Sequence, residues 1–463
     1  MQGLLLVMIV VATTFDFLAG GDSWGRLALL PREAKLVADL FGAIALAAVA
    51  VVGTRNSFRF VRPAYWVIFG ALVVVVVCGI IVNNVEAGPI VAGLRGYLRA
   101  MPWFFVAAIY SFTDPDIKKQ LQVLLAIGLL QVPLAIEQRI KSLYAGMGAG
   151  QVNYTGDFTT GTMPTSHSLS IFMIAGMCML VAMYSRGLLR SRQFIPLFIL
   201  FLVPIVINET KATIVLLPVG VLVTFIAAAR AGRKLRAALI GCLVVVLGVA
   251  VFVPVYDSLR SEGQPGITEF LTEPELAEQY LWKKEDVGTT REKPAGRMDA
   301  VLVTLRHLSA DPATLAFGYG IGNASDSALG AGFAGRYFML FEPFMTNAFA
   351  RITLELGLTG FGLVLTLMWM VYRDGRVVAR LEDGAMGAIG AAMAGITAVF
   401  VVVIAYRDVT GQMSLSFVYW FYAGLVSAHR MRMFHLGREG EHPDRQCLAF
   451  ESHRGERAMR RLS

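Results

Sequence analysis

Charged residues are scarce in this chain. Only 16% of its 463 residues are Asp, Glu, Lys or Arg, whereas 56% are hydrophobic. Soluble domains carry about 25% charged residues. Apolar runs of near-bilayer length recur from one end of the sequence to the other, so little of the chain is left for a soluble domain. The composition predicts an all-α polytopic membrane protein.

Cysteine and histidine are also scarce. None of the four cysteines lies between residues 256 and 345, so neither a disulfide nor a Cys-ligated metal site is expected in that polar stretch. Among the six histidines, only His167 and His307 fall on the side predicted below to be external. No group of Asp, Glu and His has the spacing of metal ligands. We therefore predict no bound metal and no cofactor.

Twelve apolar segments have lengths typical of transmembrane helices. They are 2–19, 36–53, 64–82, 98–112, 120–137, 165–184, 194–208, 212–229, 237–255, 347–372, 385–405 and 413–428. The seventh and eighth segments are separated only by Asn208-Glu209-Thr210-Lys211, which fits either a tight turn or a break within one re-entrant element. We favour the tight turn.

The chain is predicted to have four parts. Nine helices occupy residues 1–255, one large loop occupies 256–346, three helices occupy 347–428, and a basic tail occupies 429–463. Within the loop, the pattern of Met298, Val301, Leu302 and Leu305 predicts a short amphipathic helix from Arg297 to Ser309.

Orientation follows from the short connections, because Lys and Arg are retained on the cytoplasmic side. The basic residues fall in alternate connections: Arg55, Arg59, Arg62, Lys118, Lys119, Arg186, Arg190, Arg192, Arg230, Arg233, Lys234, Arg236, Arg373, Arg376 and Arg380. This distribution predicts that both termini are cytoplasmic and that the large loop is external. The net charge of +8 is mostly a topology signal. The expected partner is the lipid bilayer, and no nucleic acid is expected.

Polar residues near the external side are the candidates for function, since an ionisable group at membrane depth is costly and usually faces a cavity. Arg95 and Arg99 are four residues apart and share a helix face, which suits a lipid diphosphate or, equally, two arginines reaching the interface. Glu137, with Gln131 and Gln138, gives the fifth segment a polar face that favours helix packing over substrate contact.

Two more clusters lie at helix ends on the same side. The run 161–168 offers hydroxyls and the imidazole of His167, although helix capping by Thr165 or Ser166 is the simpler interpretation. Between segments seven and eight, Lys211 is a natural partner for a phosphate, while Glu209 offers it a neutralising neighbour.

The helix that follows the loop begins with a polar stripe. Asn347, Arg351 and Glu355 are spaced by four residues and therefore lie on one face. A self-satisfied Arg351–Glu355 pair is the structural alternative to a substrate site. The glycine-rich run 317–323 is weak evidence for phosphate binding, because no strand precedes it.

The order of these pieces resembles the O-antigen ligase and polymerase family of bacterial envelope glycosyltransferases. The resemblance is carried by Arg297 opening a loop helix, Pro312 before Gly318-Tyr319-Gly320-Ile321-Gly322, Thr346-Asn347, and Glu355-Leu356-Gly357-Leu358-Thr359-Gly360. It covers residues 297–372 well and the upstream segments loosely.

The resemblance implies a multi-pass protein of the bacterial inner membrane, with a C-type glycosyltransferase-like fold and a periplasmic loop. It implies metal-independent, inverting transfer of glycan from an undecaprenyl-diphosphate carrier to the growing polysaccharide. A chain-length regulator or an export complex is a further possible partner. Arg297, Arg351 and Glu355 would be catalytic, and substrate binding would involve Arg95, Arg99, Glu137, His167, Lys211, Thr346 and Asn347.

One position departs from the family pattern. Thr346 stands where the ligases carry a His, and a Thr hydroxyl cannot act as a general base near neutral pH. Glu355, His167, His307 or Glu137 would have to take that role, unless the acceptor is only oriented or the chain is inactive. The difference favours a polymerase over a ligase. A transporter or lipid-linked glycan flippase is the competing class, although no internal repeat relates the two halves of the sequence.

Overall fold

The structure is a computed structural model, and the part of the chain that it describes is helical, with no β-strand among the described residues. These residues are 2–19, 37–53, 57–149, 159–229, 234–259, 265–282, 296–327, 329–409 and 411–440. Most of the predicted basic tail, from residue 441 onward, lies outside the described residues.

Eighteen α-helices are present in the described ranges. They are α1 (Gln2–Ala19), α2 (Val37–Gly53), α3 (Pro63–Asn83), α4 (Ala87–Leu98), α5 (Pro102–Ile109), α6 (Asp114–Ala149), α7 (Ser166–Ser185), α8 (Ser191–Ile207), α9 (Thr213–Ala228), α10 (Lys234–Leu259), α11 (Ile267–Thr272), α12 (Pro274–Trp282), α13 (Arg297–Leu308), α14 (Pro312–Phe317), α15 (Phe338–Phe341), α16 (Ala348–Leu381), α17 (Gly384–Tyr406) and α18 (Met413–Gly440).

Six of these helices are long and apolar enough to cross a bilayer, counting only the described residues. They are α3, α6, α7, α10, α16 and α17. Another four, α1, α2, α8 and α9, are apolar but shorter. The chain therefore has the character of a helical membrane protein, and the total of twelve crossings stays a prediction.

The fourth predicted segment differs from the structure. Instead of one helix over 98–112, two helices meet at residues 99–101. Pro102 begins the second of them, where its missing N–H costs nothing, and it cannot donate a hydrogen bond back to α4. The break turns Arg95 and Arg99 toward different neighbours.

The core is built around α16 and α17, which pack along each other and against α9, α7 and α18. Small residues make the close approach possible. A Cβ on Gly375 would lie 2.7 Å from the carbonyl oxygen of Gly390, and a Cβ on Gly395 would lie 2.6 Å from that of Gly220. Close packing of helix backbones through glycine is characteristic of membrane helices.

Three glycines of the loop have a structural role. Gly318, Gly320 and Gly322 all adopt positive φ, between 69° and 92°. A Cβ on Gly318 would come within 2.6 Å of the backbone of α16, one on Gly320 within 3.0 Å of a carbonyl of α3, and one on Gly322 within 1.9 Å of a carbonyl of α4. The glycine-rich run thus packs the loop against three helices.

Helix α16 is broken where the glycine-rich run packs against it. Gly357 has φ 68° and ψ −177°, which breaks the helix after its second turn. A Cβ there would lie 2.2 Å from the carbonyl oxygen of Ala316 at the end of α14. The N–H of Tyr319 donates to the carbonyl oxygen of Leu354 at 2.6 Å. The loop is therefore fixed to the polar first part of α16.

Loop helix α13 packs on α16 and α12 through an unexpected face. Its fully buried residues are Ala300, Thr304 and Leu308, spaced by four. The predicted apolar face is turned outward instead, with Met298 37% and Leu302 47% exposed. The small side chains of Ala300 and Thr304 allow α13 to lie close to the bundle, while Met298 and Leu302 face outward.

At the opposite end of the bundle, Asp374 of α16 is completely buried and joins three helices. It accepts a hydrogen bond from the hydroxyl of Tyr65 at 3.0 Å and pairs with Arg62 at 3.4 Å and with Arg430. This group is called the Asp374 cluster below.

Candidate functional site

Polar side chains from separate parts of the sequence meet at the end of the bundle that carries the loop. The contributors are the C-terminal turn of α4, the start of α7, the first two turns of α16, the start of α13, and residues 407–409 and 411–412 between α17 and α18. We call this region the loop-end site.

Arg351 lies at the centre of the site. Its guanidinium forms an ion pair with Asp408 at 2.8 Å and lies 5.5 Å from the ring centre of Tyr97. Both charged side chains are largely buried, at 19% and 23% exposed. The Nε of Arg351 and the hydroxyl of Tyr97 are buried without a hydrogen-bond partner among the described residues. Buried polar groups usually have hydrogen-bond partners, so these two donors are candidates for contact with a ligand or an ordered water.

Glu355 lies one turn further along α16 and is completely buried. One carboxylate oxygen accepts a hydrogen bond of 2.5 Å from the hydroxyl of Ser325 in the loop. The other oxygen, Oε2, makes no hydrogen bond within 3.5 Å in the described part of the chain, and the hydroxyl of Tyr97 lies close to the carboxylate. Because Arg351 pairs with Asp408, the self-satisfied Arg351–Glu355 pair is not the arrangement present.

Arg95 and Arg99 do not form one clamp. Arg95 pairs with Asp39 of α2 at 2.8 Å. Arg99 instead donates to the carbonyl oxygen of Gly411, which places it beside the Arg351–Asp408 pair. The break between α4 and α5 explains the divergence, since Arg99 is already the residue that ends α4.

Arg297 connects the loop to the start of α16. Its guanidinium donates to the carbonyl oxygen of Thr346 at 3.0 Å and lies 5.2 Å from the ring centre of Tyr406. In the reverse direction, the side chain of Asn347 donates to the carbonyl oxygen of Arg297 at 3.2 Å. Asn347 also caps α16 by accepting from the N–H of Ala350 at 2.8 Å. The hydroxyl of Thr346 is buried without a partner among the described groups.

His167 reaches the same region from α7. Its ring centre lies 5.5 Å from that of Tyr406, the aromatic side chain that also contacts Arg297. Thr165 caps the helix by accepting from the N–H of Ser168 at 3.2 Å, as the simpler sequence interpretation expected. The hydroxyl of Ser168 donates to Gln412, so the start of α7 is joined to the α17–α18 connection.

Lys211 lies in the tight turn between α8 and α9, 5.6 Å from the ring centre of Phe270 in α11. Its neighbour Glu209 forms an ion pair of 2.6 Å with Arg139 of α6. Glu209, considered from the sequence as a neutralising neighbour of Lys211, thus pairs with an arginine that is distant in sequence. The turn is tied to the start of α7, because the amide of Asn208 donates to the carbonyl oxygen of Ser166 at 3.0 Å.

Glu137 has a different environment from the other candidates. It is about half exposed and pairs with Lys141 one turn along the same helix, at 2.6 Å. Its neighbour Gln138 instead accepts from the backbone N–H groups of Thr160 and Gly161, at 2.8 and 2.7 Å. The polar face of α6 thus holds the chain that leads into α7, which is the packing role the sequence favoured.

The structure brings most of the predicted site residues into one region. The loop-end site contains seven of them: Arg99, His167, Arg297, Thr346, Asn347, Arg351 and Glu355. Lys211 is linked to the site through the start of α7. Arg95 and Glu137 have their contacts elsewhere. Sequence reasoning missed Tyr97, Ser325, Asp408 and Gln412. Asp408 carried a usable signal, since it is an acid in a short connection between two apolar helices.

In chemical terms, the site combines arginines with one carboxylate oxygen available for a further hydrogen bond. Guanidinium groups bind phosphate oxygens with paired N–H donors. A buried carboxylate oriented by a serine hydroxyl can accept a proton from an alcohol at hydrogen-bond distance. Such a set suits an anionic leaving group and a hydroxyl nucleophile.

Comparisons with known proteins add no family: no protein-family model matches the chain, and no curated protein matches it significantly. Within the described residues, no three His, Cys, Asp or Glu side chains lie together as they would around a metal ion.

Proposed function

We propose that this protein is an inner-membrane polysaccharide polymerase of the O-antigen ligase and polymerase type. It transfers glycan from an undecaprenyl-diphosphate-linked donor to the end of a growing polysaccharide. The loop-end site then faces the periplasm and the Asp374 cluster faces the cytoplasm, with both termini cytoplasmic. Twelve crossings and a C-type glycosyltransferase-like fold belong to the same proposal.

One observation carries the proposal: Arg351 and Glu355, one turn apart on α16, expose unpartnered atoms in the same buried site as Tyr97. Arg99 reaches the same connection as Asp408, and Arg297 is held at the start of the same helix. A site with several cations and one acceptor oxygen matches the needs of a diphosphate leaving group and a sugar hydroxyl.

In the proposed reaction, the acceptor hydroxyl oxygen attacks the anomeric carbon of the donor from the face opposite the diphosphate. A carbon–oxygen bond forms as the bond to the diphosphate oxygen breaks, and that oxygen leaves with the electron pair. Arg351, Arg297 and Arg99 stabilise the negative charge on the leaving group. Glu355 Oε2 takes the hydroxyl proton, and Ser325 holds the carboxylate in position.

Glu355 acts as the general base, a role that the hydroxyl of Thr346 cannot take. The carboxylate is already oriented by one hydrogen bond, and its second oxygen is unoccupied by other described groups. His167 and Arg297 both contact the ring of Tyr406. In this position His167 is suited to bind a sugar hydroxyl or a phosphate oxygen.

The test uses cells that lack the gene, complemented with wild type, Arg297→Ala or Arg306→Ala. Arg306 is the matched control, since it is an exposed arginine on the same helix α13. We expect long polysaccharide with wild type and Arg306→Ala. With Arg297→Ala we expect single repeats to accumulate on an outward-facing carrier, at unchanged protein level.

Other outcomes separate the alternatives. Carrier-linked repeats confined to the cytoplasmic face would indicate transport, and long polymer without its final anchor would indicate a ligase. Wild-type polymer lengths in Arg297→Ala cells would contradict the assignment of Arg297.

A further inference from the structure

Basic side chains surround the ring of Phe60 at the end of the bundle that carries the Asp374 cluster. The guanidinium carbons of Arg59 and Arg432 lie 4.7 and 4.9 Å from the centre of that ring. The ring of His435 lies 6.3 Å from it and is nearly perpendicular to it. A cation close to an aromatic ring is attracted by the electrons of the ring face. We call Arg59, Phe60, Arg432 and His435 the Phe60 group.

The Phe60 group contains cations but no acid. Neither Arg59 nor Arg432 forms an ion pair with a described residue, and Asp374, the buried acid at this end, already pairs with two other arginines. The Nε of Arg432 and the Nε2 of His435 are buried and have no hydrogen-bond partner within the described part of the chain. Buried donors usually have an acceptor, and a partly buried cation usually has a counter-charge. A bound anion would supply both.

Arg432 is held in place by the protein itself. Its guanidinium donates to the carbonyl oxygens of Ala108 and Tyr110, at 3.1 and 2.9 Å, where α5 ends. These oxygens carry only partial charges, so they orient the cation without neutralising it. The short 3₁₀ turn Ser57–Phe60, which supplies Arg59, packs against α5 and α18. Binding an anion here therefore requires little further ordering of the protein.

An outward apolar surface begins beside the Phe60 group. Helix α3 starts three residues after Phe60. On this helix Val67, Val74 and Ile81 are each more than half exposed, and their spacing of seven residues places them in one stripe. Trp66 is exposed at the start of the stripe, and tryptophan is enriched at membrane interfaces. A phospholipid whose acyl chains lie along this stripe has its head group at the Phe60 group.

We propose that the Phe60 group is a binding site for an anionic phospholipid. Arg59, Arg432 and His435 bind the head-group phosphate, and the acyl chains lie along α3. Anionic lipids of the cytoplasmic leaflet attract basic residues next to a membrane helix, and the cytoplasmic side is the one predicted for this end of the bundle. The inference is independent of the proposed glycan transfer, because it uses no residue of the loop-end site.

The test uses full-length protein in phosphatidylcholine nanodiscs that contain a trace of a photoreactive lipid. The probe is phosphatidylglycerol with a diazirine in one acyl chain, and phosphatidylcholine with the same diazirine is the reference. Peptide mass spectrometry gives the labelling of each helix as a ratio of the anionic lipid to the reference lipid. Helix α10, a second apolar helix with little buried surface, reports general contact with lipid.

Arg59→Gln removes one charge of the Phe60 group and no hydrogen bond between described residues, so the fold should be kept. Arg192→Gln is the matched control, because Arg192 is an exposed arginine in another of the basic connections. We expect α3 of wild type and of Arg192→Gln to prefer the anionic lipid several times more strongly than α10 does. Arg59→Gln should lower this preference by about fivefold, and Arg59→Gln combined with Arg432→Gln should abolish it.

Equal labelling of α3 by the two lipids in wild type, or an equal preference at α10, would overturn the proposal. So would an unchanged preference in Arg59→Gln, or a loss in Arg192→Gln as large as in Arg59→Gln, since the latter is a general effect of surface charge. If inorganic phosphate at millimolar concentration removes the preference, the site binds free phosphate and the lipid assignment fails. These readouts do not measure glycan transfer, so either proposal can fail alone.

Discussion

At the scale of single residues, the partner of each charge decides what that residue can do. Asp408 neutralises Arg351, and Ser325 orients Glu355 while leaving one carboxylate oxygen unpartnered among the described residues. Arg95 is paired with Asp39 of α2, so its ion pair lies outside the loop-end site. The proposed chemistry therefore involves α16 and the loop.

The first prediction concerns Glu355. Glu355→Gln keeps the size and the hydrogen bond from Ser325 but cannot accept a proton, so glycan transfer should fall by about a hundredfold or more. Donor capture should be unchanged, because the arginines remain. Glu342→Gln, an exposed acid of the same loop, is the control. Full transfer by Glu355→Gln would remove Glu355 from the mechanism.

A second prediction concerns the Arg351–Asp408 pair. Removing one partner breaks a largely buried ion pair, so each single variant should unfold at a lower temperature than wild type. Arg351→Met combined with Asp408→Leu should recover most of that loss while remaining inactive. Thermal unfolding of the two single variants and the double variant in detergent gives the coupling. Additive losses would show that the pair does not act as a unit.

The sequence was informative for the stripe on α16 but not for its partners. Spacing by four places Asn347, Arg351 and Glu355 on one face whatever the tertiary structure is. Tyr97 and Asp408 lie far from that stripe in sequence, so local periodicity carries no information about their approach. The cap by Thr165 was predictable because it depends only on residues three positions apart.

At the scale of helices and turns, glycine sets how the loop meets the bundle. Gly318, Gly320 and Gly322 were weak evidence for phosphate binding in the sequence, and they instead pack against α16, α3 and α4. The kink at Gly357 fits the same contact. A glycine-rich sequence shows that the backbone can adopt positive φ and come close to other elements. Only the fold shows which helices it packs against.

Two glycines of α16 provide a third, matched prediction. Gly357→Ala meets a positive φ and a carbonyl at 2.2 Å, so it should destabilise the protein by more than about 1 kcal/mol. Gly362→Ala has open space and a helical position, and should stabilise by about 0.5–1 kcal/mol. Thermal unfolding in detergent measures both, and equal effects would contradict the packing described for the loop.

A fourth prediction uses the cap of α14. The backbone N–H and the hydroxyl of Thr314 donate to Asp311, which lowers the pKa of that carboxyl. Because the pKa of Asp311 is lower in the folded protein, the cap stabilises the fold at pH values above the unfolded-state pKa of about 3.9. This stabilisation is lost as the pH falls through the folded-state pKa. In wild type, the protection factors of the amides of residues 313–318 should fall as the pH is lowered through that range. Asp311→Asn should remove the pH dependence.

At the scale of the whole molecule, two polar groups lie at opposite ends of an apolar bundle. The loop-end site contains unpartnered atoms, whereas the Asp374 cluster pairs its buried acid with two arginines and a tyrosine. Buried atoms without a hydrogen-bond partner among the described residues also occur on α18 near the Asp374 cluster, at Ser427 and Arg432, so the loop-end site is distinguished by its combination of arginines with the Glu355 carboxylate. Hydrophobicity predicted the bounds of α2, α3, α7, α8, α9 and α17 to within a few residues, whereas α6, α16 and α18 extend well beyond the predicted apolar segments. The break at Pro102 and the outward face of α13 depended on packing partners.

The most direct test is glycan transfer by the purified full-length protein in nanodiscs, supplied with polyprenyl-diphosphate-linked repeats and resolved by product length. The account predicts that wild type and Arg306→Ala build chains of two or more repeats and release free polyprenyl diphosphate, while Arg297→Ala and Glu355→Gln do not. If wild type leaves the repeats unextended in this assay but moves them across the membrane of a sealed liposome, the protein is a transporter and the account is wrong.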